Sequence, residues 1–420
     1  MSSPKTVIIL GVLAATLAAS WWMFGRTQPD DVSALRYITV PIGAPVSEFG
    51  QPWVTHLKIV DLDQDGLLDV LYCDAKNNSV RWIRQSPRGN YVERVIADQV
   101  RGPAHVDTAD LFGRGRLDVL IASMGQIAPT AEAIGSVVVL ENTSNGDFKK
   151  HVLLERVARV TDVRAANVSG HTDGRLDLIV GQFGYVQGEI SWMKNLGNWE
   201  FERKILHSKP GAIHTPLADF DGDGQMDFAT LVAQDSEAVH LFRQERAGEF
   251  KESLLWRSTN QDWGSSGMSV SDVNRDGKPD LLVTNGDGLD FPGADQRPWH
   301  GLQWLENLGE GKFQYHRVGD LAGCFSPSAV DLDGDGDIDL LAVSAFGKWS
   351  NENEVSMMAW LNDGKNNFSP VVLANKPIRL ITSDVGDLDG NGVPVIVTGG
   401  FFPWPPYRDM SNITLWRKKS

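Results

Sequence analysis

Cysteine is scarce in this sequence, and its scarcity excludes several classes of protein. Only Cys73 and Cys324 occur among the 420 residues, and no CxxC or CxxCH motif is present. A disulfide scaffold, a cysteine-based zinc site, a thiol redox motif and covalent haem attachment are therefore excluded. Cys73 and Cys324 lie far apart in the chain, and the sequence leaves open whether they pair.

Positive charge is also in short supply. Lysine and arginine number 39 against 54 aspartates and glutamates, which gives a net charge of −15. Because no basic stripe is available to neutralise phosphates, nucleic acid is not an expected partner. Much of the negative charge lies in a few aspartate clusters, where carboxylates repel one another unless a cation lies between them. The acidity itself therefore points to bound metal.

Long apolar runs are absent except at the N-terminus. Residues 6–25 carry no charge, and about 20 residues at ~1.5 Å each are enough to cross a bilayer core. We therefore interpret residues 1–26 as a signal-anchor or transmembrane helix that tethers the protein to a membrane. A cleaved signal peptide is the alternative, because residues 18–20 (AAS) are small enough for a cleavage site.

The uncharged run also indicates where the rest of the protein resides. Residues 27–34 (TQPDDVSA) have the composition of a short polar linker. Whether the N-terminus is an anchor or a signal peptide, we expect the remainder in the periplasm or the extracellular space. If the N-terminus is cleaved, the protein is expected to be secreted.

A nine-residue pattern recurs along the rest of the chain, with aspartate at its first, third, fifth and ninth places and glycine at its sixth. The clearest copies begin at Asp61, Asp219, Asp272 and Asp331, and weaker copies begin at Asp110, Asn167 and Asp387. Successive copies start 49 to 59 residues apart. Seven copies at a nearly constant period predict a repeat fold.

Each repeat contains short apolar runs separated by glycine, asparagine or aspartate, as in DVLYC, SVRWIR and YVERVIA of the first repeat. Four such strand-like runs in about 50 residues predict a β-propeller blade. The last repeat lacks a fourth run, and residues 35–41 (LRYITVP) resemble it. We therefore predict that residues 35–420 form an all-β, seven-bladed propeller of four-stranded blades, closed by an N-terminal strand that completes the last blade. A right-handed β-helix, the alternative, leaves this strand unexplained.

The aspartate loops are predicted to bind calcium. Oxygen ligands on alternate residues suit this ion, which takes about six to eight oxygens in flexible geometry. A strand rather than a helix follows each loop, and the twelfth-place glutamate is missing, so the loops are not EF-hands. We expect about four Ca²⁺ sites, with the ligands Asp61, Asp63, Asp65, Asp69, Asp219, Asp221, Asp223, Asp227, Asp272, Asn274, Asp276, Asp280, Asp331, Asp333, Asp335 and Asp339. The alternative is a set of Asp-Gly turns with solvated carboxylates.

Three loops depart from the pattern. In the seventh, Val395 replaces the last aspartate, which puts its metal binding in doubt. In the second, Arg114 stands at the fifth place, and we expect its guanidinium to replace the ion by pairing with Asp110 and Asp118. The third loop is equally degenerate, and neither it nor the second is expected to bind metal.

These DxDxDGxxD loops between short strands resemble the FG-GAP/VCBS repeats of integrin α-subunit propellers and of many bacterial exported proteins. The resemblance covers residues 35–420. It implies calcium at loops that join the first and second strands of a blade on one face of the propeller. Ligands of such propellers usually bind the opposite face, but the resemblance implies no particular ligand, because a fold does not determine function.

The connections between the second and third runs vary most, and we expect them to form that opposite, top face. Several are long and aromatic, and Phe291, Phe401 and Phe402 lie in them. The candidate ligand-binding residues are Tyr185, Trp299, His300, Trp349, Trp404, Tyr407 and Arg408. Exposed aromatic groups among polar ones suit a glycan or protein ligand. The alternative is that they pack together and cap the channel.

Histidine recurs five residues before the loop in three repeats, as His56, His105 and His214, with Asp162 at the equivalent position of the third. The first strand of a propeller blade is innermost, so these side chains are expected at the mouth of the central channel. They are the candidates for metal binding or acid–base catalysis. A hydrogen-bonded polar collar that blocks the channel is the alternative.

No nucleophile motif, phosphate loop or cofactor fingerprint is present elsewhere. The sequence therefore favours a non-catalytic binding module for a glycan or protein ligand. A polysaccharide lyase or hydrolase with its site at the channel mouth is the alternative.

Overall fold

The computed structural model describes residues 35–44, 52–144, 146–184, 186–234, 236–289, 296–404 and 407–419. The chain divides into two units, Met1–Leu35 and Arg36–Ser420, and all described residues except Leu35 belong to the second. The expected N-terminal helix and linker lie outside the described residues. Among the residues described, no helix is long and apolar enough to span a membrane.

Within the described residues, twenty-nine strands form seven separate antiparallel sheets, which are the blades of a propeller. Blades one to three consist of β2–β5 (Val54–Val60, Asp69–Asp74, Ser79–Gln85, Tyr91–Ala97), β6–β9 (Pro103–Ala109, Asp118–Ser123, Gly135–Ser144, Asp147–Val157) and β10–β13 (Val160–Ala166, Asp177–Gln182, Glu189–Gly197, Glu200–His207). Blades four and five consist of β14–β18 (Ala212–His214, Leu217–Ala218, Asp227–Gln234, Ser236–Arg246, Glu249–Arg257) and β19–β22 (Ser265–Ser271, Asp280–Asn285, Gly301–Gly309, Lys312–Asp320). Blades six and seven consist of β23–β26 (Cys324–Val330, Asp339–Ser344, Met357–Asn362, Phe368–Ala374) and β27–β29 (Leu380–Gly386, Val395–Gly400, Ile413–Lys418) with β1 (Tyr37–Ile42).

The ring is closed by the N-terminal strand, as the sequence predicts. Strand β1 is the outermost strand of blade seven and pairs antiparallel with β29, from Tyr37 opposite Lys418 to Ile42 opposite Ile413. The innermost strands contact one another in sequence around the ring, and β27 contacts β2. The prediction of seven four-stranded blades is therefore confirmed, with the first strand of blade four split into β14 and β15.

Apolar side chains are concentrated between neighbouring blades. The second strand of a blade has a partner strand on both edges and a blade on both faces, so β7 and β11 are buried along their whole length. Leu71 and Trp82 of blade one pack with Val106 and Val119 of blade two. The fourth strand leaves one edge in solvent, and its residues are exposed or only partly buried, as in β13. The tryptophans of the third strands, Trp82, Trp192, Trp304 and Trp360, are all buried in these interfaces.

A side chain at the end of the third strand connects several blades to the preceding blade. The amide nitrogen donates to the main-chain carbonyl of the residue at the second place of the preceding aspartate loop. These contacts are Gln85 to Leu388 (3.1 Å), Asn195 to Leu111 (3.1 Å), Gln244 to Val168 (3.0 Å) and Asn307 to Phe220 (2.9 Å). In blade seven Lys418 takes this place, and its Nζ donates to the carbonyl oxygen of Leu332 (3.2 Å). We call these five contacts the seam hydrogen bonds.

Candidate metal loops and channel cluster

We call the loops that begin at Asp61, Asp219, Asp272 and Asp331 the complete loops. In each of them the first aspartate stabilises the turn by accepting hydrogen bonds from backbone N–H groups of the loop. In blade one, Asp61 accepts hydrogen bonds from the backbone N–H of Asp65 (3.0 Å) and Gly66 (2.9 Å). Gly66 has φ of 85°, which a glycine adopts without steric cost. Asp219 accepts both equivalent bonds, and Asp331 accepts the N–H of Gly336 together with that of Gly334. One carboxylate therefore stabilises the loop conformation through hydrogen bonds that do not involve an ion.

The ninth aspartate is completely buried and connects the loop to the end of the third strand. Asp69 accepts hydrogen bonds from the N–H of Leu62 (3.3 Å), the N–H of Gln85 (2.8 Å) and the indole of Trp82 (2.8 Å). Burial raises the pKa of Asp69 to about 6, although these three donors lower it. Burial likewise raises the pKa to about 6 at the other ninth places, Asp227, Asp280 and Asp339.

Three loops bring carboxylates from their first, third and ninth places together. One oxygen from each lies within 4.8 Å of the others in the groups Asp61–Asp63–Asp69, Asp219–Asp221–Asp227 and Asp331–Asp333–Asp339. Oδ1 of Asp63 and Oδ1 of Asp221 are buried and have no hydrogen-bond partner. Buried, crowded and unpartnered oxygens are the arrangement that a hard, oxygen-seeking cation resolves. The residues present therefore fit calcium.

The fifth aspartates stand apart from these groups. Asp65 accepts a hydrogen bond from the N–H of Leu67 (3.0 Å), and Asp223 and Asp335 make the same contact two residues onward. In these three loops the predicted metal residues at the first, third and ninth places are thus brought together. The fifth carboxylate instead stabilises the turn by accepting a backbone hydrogen bond.

The loop of blade five differs from the other complete loops. Its third place is Asn274, whose Nδ2 donates to Glu306 (3.2 Å), and Asp276 is paired with Lys278 (2.6 Å). In the described residues Asp272 and Asp280 do not belong to a three-carboxylate group. Calcium at this loop remains a prediction.

In the loops of blades two and three, which depart from the motif, a basic side chain pairs with the buried aspartate at the end of the loop. In blade two, Nη2 of Arg114 lies 2.5 Å from Asp118 and its Nη1 lies 2.7 Å from Glu141. The expected pairing with Asp118 is present, whereas Asp110 accepts the backbone N–H of Arg114 instead of its guanidinium. In blade three, Nε2 of His171 lies 3.2 Å from the buried Asp177.

Replacing Arg114 with methionine is expected to destabilise the protein by about 3 kcal/mol, because a buried charge at Asp118 loses its partner. Since Arg114 stands in for the ion, the loss should be the same with and without calcium. Denaturant unfolding in both conditions measures it. Arg116→Met removes an equal charge that only donates to a main-chain carbonyl, and it should cost under about 1 kcal/mol. An Arg114→Met protein as stable as the unmodified one would contradict the assignment.

Comparison with known protein families finds a repeat family in the segments that contain several of these aspartate loops. The model of the FG-GAP-like repeat family matches residues 61–121, 172–230 and 219–283. These three stretches are therefore FG-GAP-like repeats. Two crystal structures of BBS1N in complex with ARL6DN, one soaked with lead and one with mercury, share 10% sequence identity with it and have TM-scores of 0.53 and 0.50. Each alignment covers 91% of this chain and 98% of that one, and at this identity the likeness concerns the fold. No curated protein matches the chain.

The central channel of the propeller contains the predicted histidine cluster. Residues from the innermost strands of all seven blades line a cavity of about 460 Å³. The rings of His56 and His105 lie 4.0 Å apart, and Nδ1 of His105 lies 3.1 Å from Asp162. Nδ1 of His214 lies 4.0 Å from the same carboxylate. The sequence thus places these four side chains together correctly.

The electrostatics of the cluster favour a neutral collar. Burial lowers the pKa of His105 and of His56 well below the usual value, and it also lowers the pKa of His214. Arg164 lies 3.0 Å from Asp162, so this carboxylate already has a positively charged partner. Among the described residues, no three His, Cys, Asp or Glu ligand atoms converge here within 4.8 Å. The geometry therefore resembles the collar more than a metal or acid–base site.

The aromatic insertions of the top face divide into exposed and packed residues. Trp404 is 50% exposed and Arg408 is exposed, whereas Trp299, Trp349 and Tyr407 are partly buried. The indole of Trp299 donates to the carbonyl of Asp262 (2.9 Å). Tyr185 and Phe291 lie outside the described residues.

Three residues expected on the exposed face are buried instead. His300 is 1% exposed, and its Nδ1 accepts the N–H of Gly323 (3.2 Å), which fixes the ring at the junction of blades five and six. The expectation of an exposed His300 is therefore wrong. Phe401 packs on Trp53, and the ring of Phe402 lies 3.3 Å from the guanidinium of Arg379. For these residues the capping alternative describes the structure.

The sequence interpretation missed the role of the third-strand amides. Each third run ends in glutamine or asparagine in the first six repeats, as in SVRWIRQ and MMAWLN. This recurrence was the available signal. The structure shows that the backbone N–H of the same residue also caps the ninth aspartate, for example Asn362 on Asp339 (2.9 Å).

Proposed function

We propose that this protein is an exported, membrane-tethered, calcium-binding propeller that binds a glycan on its top face. The observation that carries the proposal is the convergence of the first, third and ninth aspartates in blades one, four and six. The proposal of export and tethering draws on the uncharged run at residues 6–25.

Calcium is favoured over other ions by the donors that the loops offer. All three converging groups are carboxylates, and no thiolate or imidazole belongs to any of them. Hard oxygen donors in an adaptable loop suit Ca²⁺, whereas Mg²⁺ demands stricter octahedral geometry. When bound, the ion supplies positive charge that offsets the repulsion among the carboxylates. Its role here is stability, and no chemical step is assigned to it.

The top of blades five to seven is the proposed binding surface. The connections there carry the half-exposed Trp404, the exposed Arg408 and Lys348, and the partly buried Trp349. The buried Phe402 supports Trp404 from below, with ring centroids 5.5 Å apart. A supported aromatic face bordered by polar groups offers a sugar ring both apolar contact and hydrogen bonds. These connections lie at the opposite end of the strands from the aspartate loops.

The polysaccharide lyase or hydrolase alternative draws less support from the geometry. Its candidate residues His56, His105 and His214 are held neutral by burial, and Arg164 pairs with the carboxylate beside them. Histidines whose pKa is lowered by burial, beside a carboxylate already paired with an arginine, are poorly placed to exchange protons with a substrate.

Trp404→Ala is expected to weaken glycan binding at least about tenfold, since one central aromatic contact commonly contributes about 1.4 kcal/mol or more. A panel of purified glycans, followed by isothermal titration calorimetry of those bound, measures the effect. Leu196→Ala is the matched control, because Leu196 is 49% exposed and lies on the aspartate-loop face.

The same glycans should be screened for unsaturated or hydrolysed products. Turnover that His105→Ala and His214→Ala both abolish, with the fold intact, would establish the enzymatic alternative. Glycan affinity that Trp404→Ala leaves unchanged, or binding only to a protein ligand, would refute the proposed surface.

A further inference from the structure

One position on the third strand contacts the aspartate loop in blades one, two, four, five and seven. It directly precedes the glutamine, asparagine or lysine at the end of that strand, and we call it the loop-facing position in every blade. Its occupants in blades one to seven are Arg84, Glu141, Lys194, Arg243, Glu306, Leu361 and Arg417. Charge at this position therefore varies from blade to blade, whereas the calcium motif of the complete loops is nearly constant.

We propose that the loop-facing position sets the calcium affinity of each loop, so that blade six holds the tight site and blades one and four hold weaker ones. This inference rests on the calcium binding proposed above. It concerns the order of affinity among the loops, which the motif itself does not distinguish.

In blade one the loop-facing arginine is already bound to two loop carboxylates. Nε of Arg84 lies 2.6 Å from Asp63, and its Nη2 lies 3.0 Å from Asp65. A fixed positive charge beside a third-place ligand repels an incoming divalent cation and neutralises part of the charge that attracts it. The other oxygen of Asp63 remains unpartnered, so the loop can still accept an ion, but at a lower affinity.

Blade four shows the same arrangement in a weaker form. Nη1 of Arg243 lies 3.3 Å from Asp221, and the structure records no contact from Arg243 to the fifth-place Asp223. One longer contact neutralises the loop less than two short ones. The loop of blade four is therefore expected to bind calcium more tightly than that of blade one.

Blade six has no such counterion, because Leu361 occupies its loop-facing position. Within the described residues, no lysine or arginine makes an ion pair with Asp331, Asp333, Asp335 or Asp339. The basic side chain that reaches this loop is Lys418, and it donates to the carbonyl oxygens of Leu332 and Asp333 rather than to a carboxylate. The carboxylates of this loop are therefore not neutralised by a direct ion pair, unlike Asp63 and Asp221.

The loop-facing residue also complements the loop in blades that depart from the motif. In blade two, where Arg114 has entered the loop, the position is Glu141, and the two pair at 2.7 Å. In blade five, where the third place lost its charge, the position is Glu306, which accepts a bond from Asn274. In blade seven Arg417 pairs with Asp389 at 2.7 Å. In blades two and seven the residue at the loop-facing position thus carries a charge opposite to that of the loop residue it contacts. In blade five it accepts a hydrogen bond from the uncharged Asn274.

A reciprocal exchange tests the inference. Calcium titration calorimetry on the unmodified protein should show one tight site and two or more weaker ones, and Asp331→Ala should remove the tight one. Arg84→Leu should tighten one weak site about tenfold, and Leu361→Arg should weaken the tight site about tenfold. Lys194→Leu removes the same charge as Arg84→Leu beside a loop that lacks the motif, and it should leave every affinity unchanged.

Each outcome decides a different point. If the unmodified protein binds calcium but Arg84→Leu leaves all affinities unchanged, the inference is refuted and the calcium proposal stands. If neither the protein nor any variant binds calcium, the proposed calcium role itself fails. Circular dichroism in excess calcium verifies folding. If Leu361→Arg does not fold, Arg84→Leu with its Lys194→Leu control decides the matter without it.

Discussion

Chelation of calcium is expected to lower the midpoint of thermal unfolding by about 10 °C. A ligand present at a hundredfold excess over its dissociation constant stabilises the native state by about 2.7 kcal/mol per site, so three sites contribute about 8 kcal/mol. In a chain of this size each kcal/mol shifts the midpoint by somewhat more than about 1 °C. The crowded carboxylates of the three converging groups, which repel one another when the ion is removed, are the physical source of the loss.

Differential scanning calorimetry with EGTA and with excess calcium measures this shift. Calcium added back after chelation should restore the midpoint, and magnesium at the same concentration should restore much less of it. The double variant Asp221→Asn and Asp333→Asn should show a smaller response to chelation than the unmodified protein. Equal midpoints in chelator and in calcium would mean that the loops are ordinary solvated turns.

Removal of strand β1 is expected to abolish cooperative folding. A chain that begins at residue 43 leaves β29 as an unpaired edge and removes six residue pairs, from Tyr37–Lys418 to Ile42–Ile413. The buried Ile42 also leaves the cluster that contains Ile413 and Leu415. An open, apolar sheet edge is a template for association with other chains. We therefore expect soluble aggregates in size-exclusion chromatography and no sharp thermal transition.

A chain that begins at residue 35 is the matched control and should unfold within about 2 °C of the full-length protein, because β1 remains intact. A synthetic peptide of residues 35–44 added during refolding should partly restore the monomer, by adding a strand to the open edge. A monomeric protein with an unchanged midpoint after removal of residues 1–42 would show that closure does not depend on this strand.

The blade count and the ring closure were predictable because both depend on patterns within short stretches of sequence. The spacing of Asp61, Asp110 and the later loop starts fixes the number of repeats, and the missing fourth run of the last repeat identifies β1. The first, third and ninth aspartates converge because the loop between two paired strands is short, so a nine-residue motif determines its own geometry.

Features that depend on contacts between distant residues were harder to predict. His300 lies in a long aromatic insertion, and its burial depends on Gly323 in the next blade. The fifth aspartate Asp65 leaves the ligand group because main-chain donors of its own turn and Arg84 of another strand compete for it. Composition and spacing do not reveal such competition, since the competing partner becomes adjacent only when the propeller has folded.

The seam hydrogen bonds have a consequence for how the protein loses its structure. Each acceptor is a main-chain carbonyl inside an aspartate loop, and each donor belongs to the following blade. Disordering one loop therefore withdraws an acceptor from its neighbour and leaves a buried donor unsatisfied there. Five blade junctions carry such a bond, and the other two, between blades one and two and between blades five and six, share an apolar cluster. Disorder therefore passes from blade to blade, and the propeller should melt as one body although it is assembled from seven similar pieces.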